Sequence, residues 1–172
     1  MMELILMRHG KAEPRSDAKP DFERELTSIG RKKVRMAAQG LAQGLYKGRE
    51  IQIWASPTVR TLQTAEVLRS AFGKRTRLHV VDAIQEGNMS ELRSEWSSTP
   101  GIDVLIIVGH EPTMSEWTQK TSGAALLFRP GSAAAILFED PEQTIGSLAW
   151  FMRIGVMGRL GPLPHPQRVQ RP

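Results

Sequence analysis

No cysteine occurs among the 172 residues of this chain. That excludes a disulfide framework, thiolate catalysis and any zinc site built on cysteine, and it makes a cytoplasmic protein the default expectation. No apolar stretch approaches the roughly 20 residues that span a bilayer, so no membrane association is expected. The opening apolar run is too short for a signal-peptide core, and Arg8 and His9 interrupt it at once. No HExxH, EF-hand or Walker signature appears, so neither a metal nor another cofactor is expected. Acid is missing from the last stretch, GRLGPLPHPQRVQRP, which carries Arg159, Arg168 and Arg171. Removing those three charges from the net +5 leaves +2 for the body, too little to argue for nucleic acid. The expected organisation is one domain over 1–157 and a poorly ordered, basic, proline-rich tail over 158–172.

What is present is ordinary for a globular chain, with 40% apolar and 24% charged residues. Strand-like and helix-like segments alternate, which predicts a layered α/β fold with a mostly parallel sheet. Leu4–Met7 reads as a buried strand, and residues 11–25 as a polar loop. LTSIGRKKVRMAAQGLAQGL predicts an amphipathic helix capped by Thr27 or Ser28, with Val34, Ala37, Ala38, Leu41 and Leu45 on one face. IQIWA is a second strand. SPTVRTLQTAEVLRSAFG predicts a helix with Ser56 as its N-cap, Pro57 in its first position and Gly73 at its stop. RLHVVDAI reads as a third strand, NMSELRSEW as a short helix opened by Asn88 and Glu91, and DVLIIVGH as a fully buried fourth strand. EPTMSEWTQK begins another helix at Pro112. SAAAILFE and SLAWFMRI then predict a closing β-hairpin.

Three strand ends carry similar chemistry. The first ends in Arg8-His9-Gly10, the second leads through Ser56-Pro57 to Arg60, and the fourth ends in Gly109-His110-Glu111. Parallel strands put these ends on one edge of the sheet, where α/β proteins hold their ligands. Two arginines, two histidines and nearby helix N-termini suit a tetrahedral dianion, and a glycine at position 10 would let backbone approach it. An imidazole beside arginine charge tends to stay neutral, and a neutral imidazole can attack phosphorus. His79, inside a strand, and His165, in the tail, read as structural or solvated.

LMRHGKAEP, LTSIGRKKVRMAA, ASPTVRTLQTAE and IIVGHEPTMSEW, in that order, resemble the motifs of the histidine phosphatase superfamily, also called phosphoglycerate mutase-like. The resemblance runs from about residue 3 to about residue 154. It implies a three-layer α/β/α fold, His9 as the phosphorylated nucleophile, and Arg8, Gly10, Arg60 and His110 around the phosphoryl group, where phosphate or sulfate would bind. Within the superfamily the chain is most similar to SixA-type phosphohistidine phosphatases, which implies a phosphorylated protein, such as a histidine phosphotransfer domain, as substrate. Glu86 stands where many members place a carboxylate general acid, and is either that acid or a solvated loop carboxylate. Glu13 and Glu111 are weaker choices.

The segments after the first strand and before the fourth are short, leaving little material for a lid. An open site suits a side chain presented by another protein better than a small free ligand. Transfer between imidazoles also asks less of a general acid than cleavage of an alkyl ester. The expected activity is therefore phosphohistidine hydrolysis. The alternatives are a phosphomonoesterase acting on phosphoserine or phosphothreonine proteins or small esters, and a module that binds phosphorylated partners without turnover.

Overall fold

The computed structural model describes residues 1–99, 102–140 and 142–161. Strand β1 (Met2–Arg8) lies inside a six-stranded sheet with β2 (Ile51–Ala55), β3 (Arg77–Val80), β4 (Val104–Gly109), β5 (Ala133–Phe138) and β6 (Ser147–Met152). The strand order is β3-β2-β4-β1-β5-β6. The first four run parallel, and β5 pairs antiparallel with both β1 and β6, which makes the expected closing hairpin.

Strand alternation divides the core into two halves. Ile5 and Met7 of β1, with Ile106 and Val108 of β4, pack beneath α1 (Ser28–Gly44), α2 (Val59–Phe72) and α6 (Ile154–Met157). Leu4 and Leu6, with Leu105 and Ile107, face α3 (Asp82–Glu86), α4 (Met89–Ser97) and α5 (Thr113–Ser122). These are the three layers of an α/β/α fold. Both faces of the central strands are covered, which is why their sequences are unbroken apolar runs. Leu160 still packs against the α1 side. Residues 162–172, including His165 and most of the expected tail, lie outside the described residues. Among the described residues no helix is long and apolar enough to cross a membrane.

Local signals set the helix starts. Thr27 caps α1 by accepting the Gly30 N–H, and Asn88 caps α4 by accepting from Glu91 N while its amide donates to the Glu91 carboxylate. Several expectations need correcting. Leu45 lies past the end of α1 and is exposed rather than on its buried face. Helix α2 begins at Val59 with Thr58 in the cap position, because the Ser56 hydroxyl is engaged elsewhere. The third strand stops at Val80 rather than running to Ile84. As an edge strand it pairs with β2 alone, and the chain then turns into α3 to bury Ala83 and Ile84. The polar loop after β1 is partly regular, with a 3-10 turn at Asp21–Glu23 and an isolated bridge between Ala12 and Leu26.

Candidate active site

The parallel register sets Arg8 of β1 opposite Gly109 of β4, so both strands end at the same level of the sheet. His9 N–H then donates to Gly109 O at 3.0 Å, and Ser56 N–H at the end of β2 donates to Val108 O at 3.1 Å. On the other flank the turn before β5 closes in, with Gly131 N–H donating to the carbonyls of both Arg8 and His9. Arg8, His9, Arg60 and His110 therefore line one cavity of about 310 Å³, together with Lys11, Glu13, Arg15, Arg24, Glu111 and Pro130.

His9 is only 7% exposed, and its Nδ1 lies 2.7 Å from the Gly10 carbonyl. A carbonyl only accepts, so Nδ1 carries the proton and Nε2 keeps its lone pair. Burial lowers the imidazole pKa to about 3. The Gly10 bond opposes this, while the neighbouring His110, Arg60 and Arg8 reinforce it. His9 is thus a neutral imidazole at physiological pH, with one nitrogen free to attack.

His110 stands edge-on to His9, with ring centroids 5.3 Å apart. Its Nδ1 accepts from Arg60 Nη2 at 3.3 Å, which leaves the proton on Nε2. That N–H donates to Ser56 Oγ at 2.8 Å, and the Ser56 hydroxyl donates in turn to Gln85 Oε1 at 2.8 Å. Burial, aided by Arg60, lowers the His110 pKa to about 4.

Both arginines are held from behind. Arg8 Nη1 donates to Phe128 O at 2.8 Å, and Arg60 Nη1 and Nη2 donate to the main-chain and carboxylate oxygens of Asp21 at 2.6 and 3.0 Å. Asp21 also pairs with Arg24 and Arg15. Each site arginine retains a buried Nε with no partner among the described residues. Among the described residues no group of three or more histidine or carboxylate side chains is arranged to hold a metal ion.

Gly10 departs from expectation. Its N–H donates to Thr64 Oγ1 at 3.1 Å and it does not line the cavity. A Cβ there would lie 2.5 Å from Val34 Cγ2, so the glycine is required by the packing of α1 against β1 rather than by ligand approach. Glu86 is exposed at the end of α3 and also lies off the cavity. Its neighbour Gln85 is the residue that reaches the site, through Ser56. Glu13 lines the cavity, but a hydrogen bond from Lys19 holds its carboxyl below the usual range. Burial pushes the Glu111 carboxyl up, although it accepts from Ser115 Oγ and sits near Arg8. His79 is exposed in β3, stacked edge-on to Trp54. Sequence reasoning missed Asp21, Gln85 and the role of Ser56. No signal marked Asp21, whereas Ser56 was visible only as a helix cap.

A neutral buried imidazole, two arginines and a second histidine, all at the carboxyl edge of an α/β sheet, form a site that can bind a phosphoryl group and offer it a nitrogen nucleophile. Residues 4–100 match the family model of the histidine phosphatase superfamily, branch 1. The matched span includes Arg8, His9 and Arg60 and ends before His110. The chain belongs to that superfamily and is a hydrolase of its kind. It is 34% identical over 123 residues to an uncharacterized protein of Picosynechococcus sp. (strain ATCC 27264 / PCC 7002 / PR-6), covering 69% of this chain and 72% of the relative. Its fold is similar to that of the protein histidine phosphatase SixA, solved with tungstate, at a TM-score of 0.78 and 20% identity, covering 91% of this chain and 99% of the other. It is less similar to the phosphoserine phosphatase of Entamoeba histolytica, solved with 3-phosphoglyceric acid, at a TM-score of 0.60 and 15% identity over 89% and 98% of the two chains.

Proposed function

We propose that the protein is a phosphohistidine phosphatase that clears phosphate from a histidine phosphotransfer protein, in the cytoplasm and without a metal. His9 Nε2 attacks phosphorus in line. The substrate P–N bond breaks with its electron pair going to the departing imidazole, which takes a proton from solvent. Arg8 and Arg60 hold the equatorial oxygens, and His110 joins them by turning its Nε2–H from Ser56 to the phosphoryl group. Water then attacks the phosphohistidine at position 9, the second P–N bond breaks, and phosphate leaves with His9 neutral again. Phosphate, sulfate or tungstate would occupy the same cavity.

The observation that carries the reading is the free Nε2 of a buried, neutral His9. The choice of leaving group draws on the carboxylates. Glu86 is exposed away from the cavity and Glu13 is tied to Lys19, so neither is poised to protonate an alkoxide. An imidazole leaving group asks little of an acid. One observation favours the ester reading instead, since Glu111 lines the cavity and its burial favours the protonated form.

The test is phosphate release, with chelator present, from a phosphorylated histidine phosphotransfer domain, a phosphoserine peptide and an aryl phosphate, with His9→Ala as the control. The expected result is preferred turnover of phosphohistidine, lost in His9→Ala and largely retained in Glu111→Gln. Preference for either ester, with strong dependence on Glu111, would move the assignment to a phosphomonoesterase. Tight binding with no turnover of any substrate would make the cavity a receptor.

A further inference from the structure

The hydrogen bonds of His110 run in one direction, and the residues at both ends set it. At one end Arg60 can only donate, so Nδ1 of His110 accepts, although at 3.3 Å this contact is long for a hydrogen bond. The other end is tighter. Ser56, fully buried just past β2, has its Oγ 2.8 Å from His110 Nε2 and 2.8 Å from Gln85 Oε1. The amide oxygen of Gln85 can only accept, which draws the Ser56 proton away from His110 and turns a lone pair of the hydroxyl toward Nε2. An amide turned the other way would offer N–H to a hydroxyl whose own proton then had no acceptor in the chain, because Nε2 is already protonated. Gln85 stands on α3, does not line the cavity and is exposed. Ala83 and Ile84 supply the buried face of α3, so position 85 is free of the core.

We propose that Gln85 is a positioning residue: through Ser56 it keeps the single proton of His110 on Nε2, so that this ring meets the phosphoryl group as a hydrogen-bond donor. The proposal rests on the phosphoryl-transfer reading of the cavity and holds for either leaving group. The opposite tautomer would set an N–H against the Arg60 guanidinium and turn a bare nitrogen toward the phosphoryl oxygens, and both contacts repel. Gln85 also supports the turn of His110 onto its ligand. When Nε2–H leaves Ser56 for a phosphoryl oxygen, the buried hydroxyl still donates to Gln85 and is not stranded. With an apolar side chain at position 85, the Ser56 proton is free to turn to Nε2 instead, which stabilises the tautomer that cannot donate there.

The experiment compares Gln85→Leu and Gln85→Glu with the unmodified protein, by NMR of the His110 ring nitrogens and by turnover of a phosphorylated histidine phosphotransfer domain and an aryl phosphate, with His9→Ala as the inactive control. In the unmodified protein Nε2 should give a protonated signal and Nδ1 a bare one. Gln85→Leu should draw the two signals together and lower kcat roughly fivefold, the worth of one neutral hydrogen bond, with KM little changed. Gln85→Glu keeps the acceptor and should restore the tautomer and most of the activity at neutral pH. The charges now acting on the ring are those of Arg60, Asp21, Arg8 and Arg24. A carboxylate one hydroxyl away should raise the His110 pKa from about 4 by roughly one unit. Ring signals and turnover unaffected by Gln85→Leu would overturn the positioning role alone. Equal losses in both variants with unchanged ring signals would also overturn it, since the effect would then come from a displaced α3. If the unmodified protein turns over neither substrate, or His9→Ala matches it, the positioning role falls together with the phosphoryl-transfer reading.

Discussion

Acid should destabilise this protein through His9, by an amount that can be worked out. Burial holds the His9 pKa near 3, whereas in the unfolded chain the same imidazole titrates near its ordinary 6.5. Below pH 6.5 the unfolded state takes up a proton that the folded state refuses. Folding stability is therefore fully present above that value and is lost as pH falls toward 3. One proton difference is worth ~1.36 kcal/mol per pH unit, so acidification from pH 7 to pH 5 should cost about 2 kcal/mol through His9 alone. His110 shifts in the same direction, but it is partly exposed and contributes less. The assay is urea unfolding at pH 7 and pH 5 for the unmodified protein and for His9→Gln, whose amide can still donate to Gly10 O. Carboxylates and other groups common to both proteins cancel in the comparison. The unmodified protein should lose about 2 kcal/mol more than the variant. Equal losses would mean that folded His9 ionises near 6.5, and would refute the argument that burial keeps this imidazole neutral.

Asp21→Asn removes the charge that faces Arg60 and should lower kcat/KM roughly tenfold on every phosphoryl substrate, read by steady-state kinetics, because the guanidinium loses its fixed orientation. Gly10→Ala forces a methyl group against Val34 and should cost about 1–3 kcal/mol in urea unfolding. Pairing it with Val34→Ala should recover part of that loss, as neighbouring sites do when they share one clash. Ser56→Ala leaves the His110 Nε2–H without its acceptor and should cost about 1 kcal/mol of stability, with a shift in the His110 ring signals by NMR.

Much of this architecture was legible because its signals are short-range. Unbroken runs mark β1 and β4 as covered on both faces, and Thr27 and Asn88 are caps whose partners lie three residues away. Arg8, His9, Arg60 and His110 could be grouped because a parallel sheet brings strand ends together whatever the details of packing. Features that depend on contacts across the fold were not readable. Asp21 reaches Arg60 over 39 positions from a loop with no periodicity. Ser56-Pro57 has the grammar of a helix start, and nothing local distinguishes a capping hydroxyl from one recruited by His110. Gln85 and Glu86 are adjacent on a helix, where one step turns the side chain by about 100°, and that step decides which of them reaches the site. Gly10 looked like a glycine for a ligand because its crowding comes from α1, invisible in the motif itself.

Arg8 has its peptide N–H bonded to Ser132 and its guanidinium bonded to Phe128, the latter 120 residues further along the chain. His9 in turn bonds to Gly109 on the opposite flank. Arg8 is thus completed by a segment 120 positions away along the chain. A nascent chain that has not yet delivered β5 exposes an unpaired edge of β1 and has no working site, however well α1 and α2 have formed. Contacts of such long sequence separation slow folding and lengthen the time that this edge is open to wrong partners. Arg8 and His9 are fixed in place only once both β4 and β5 have joined β1.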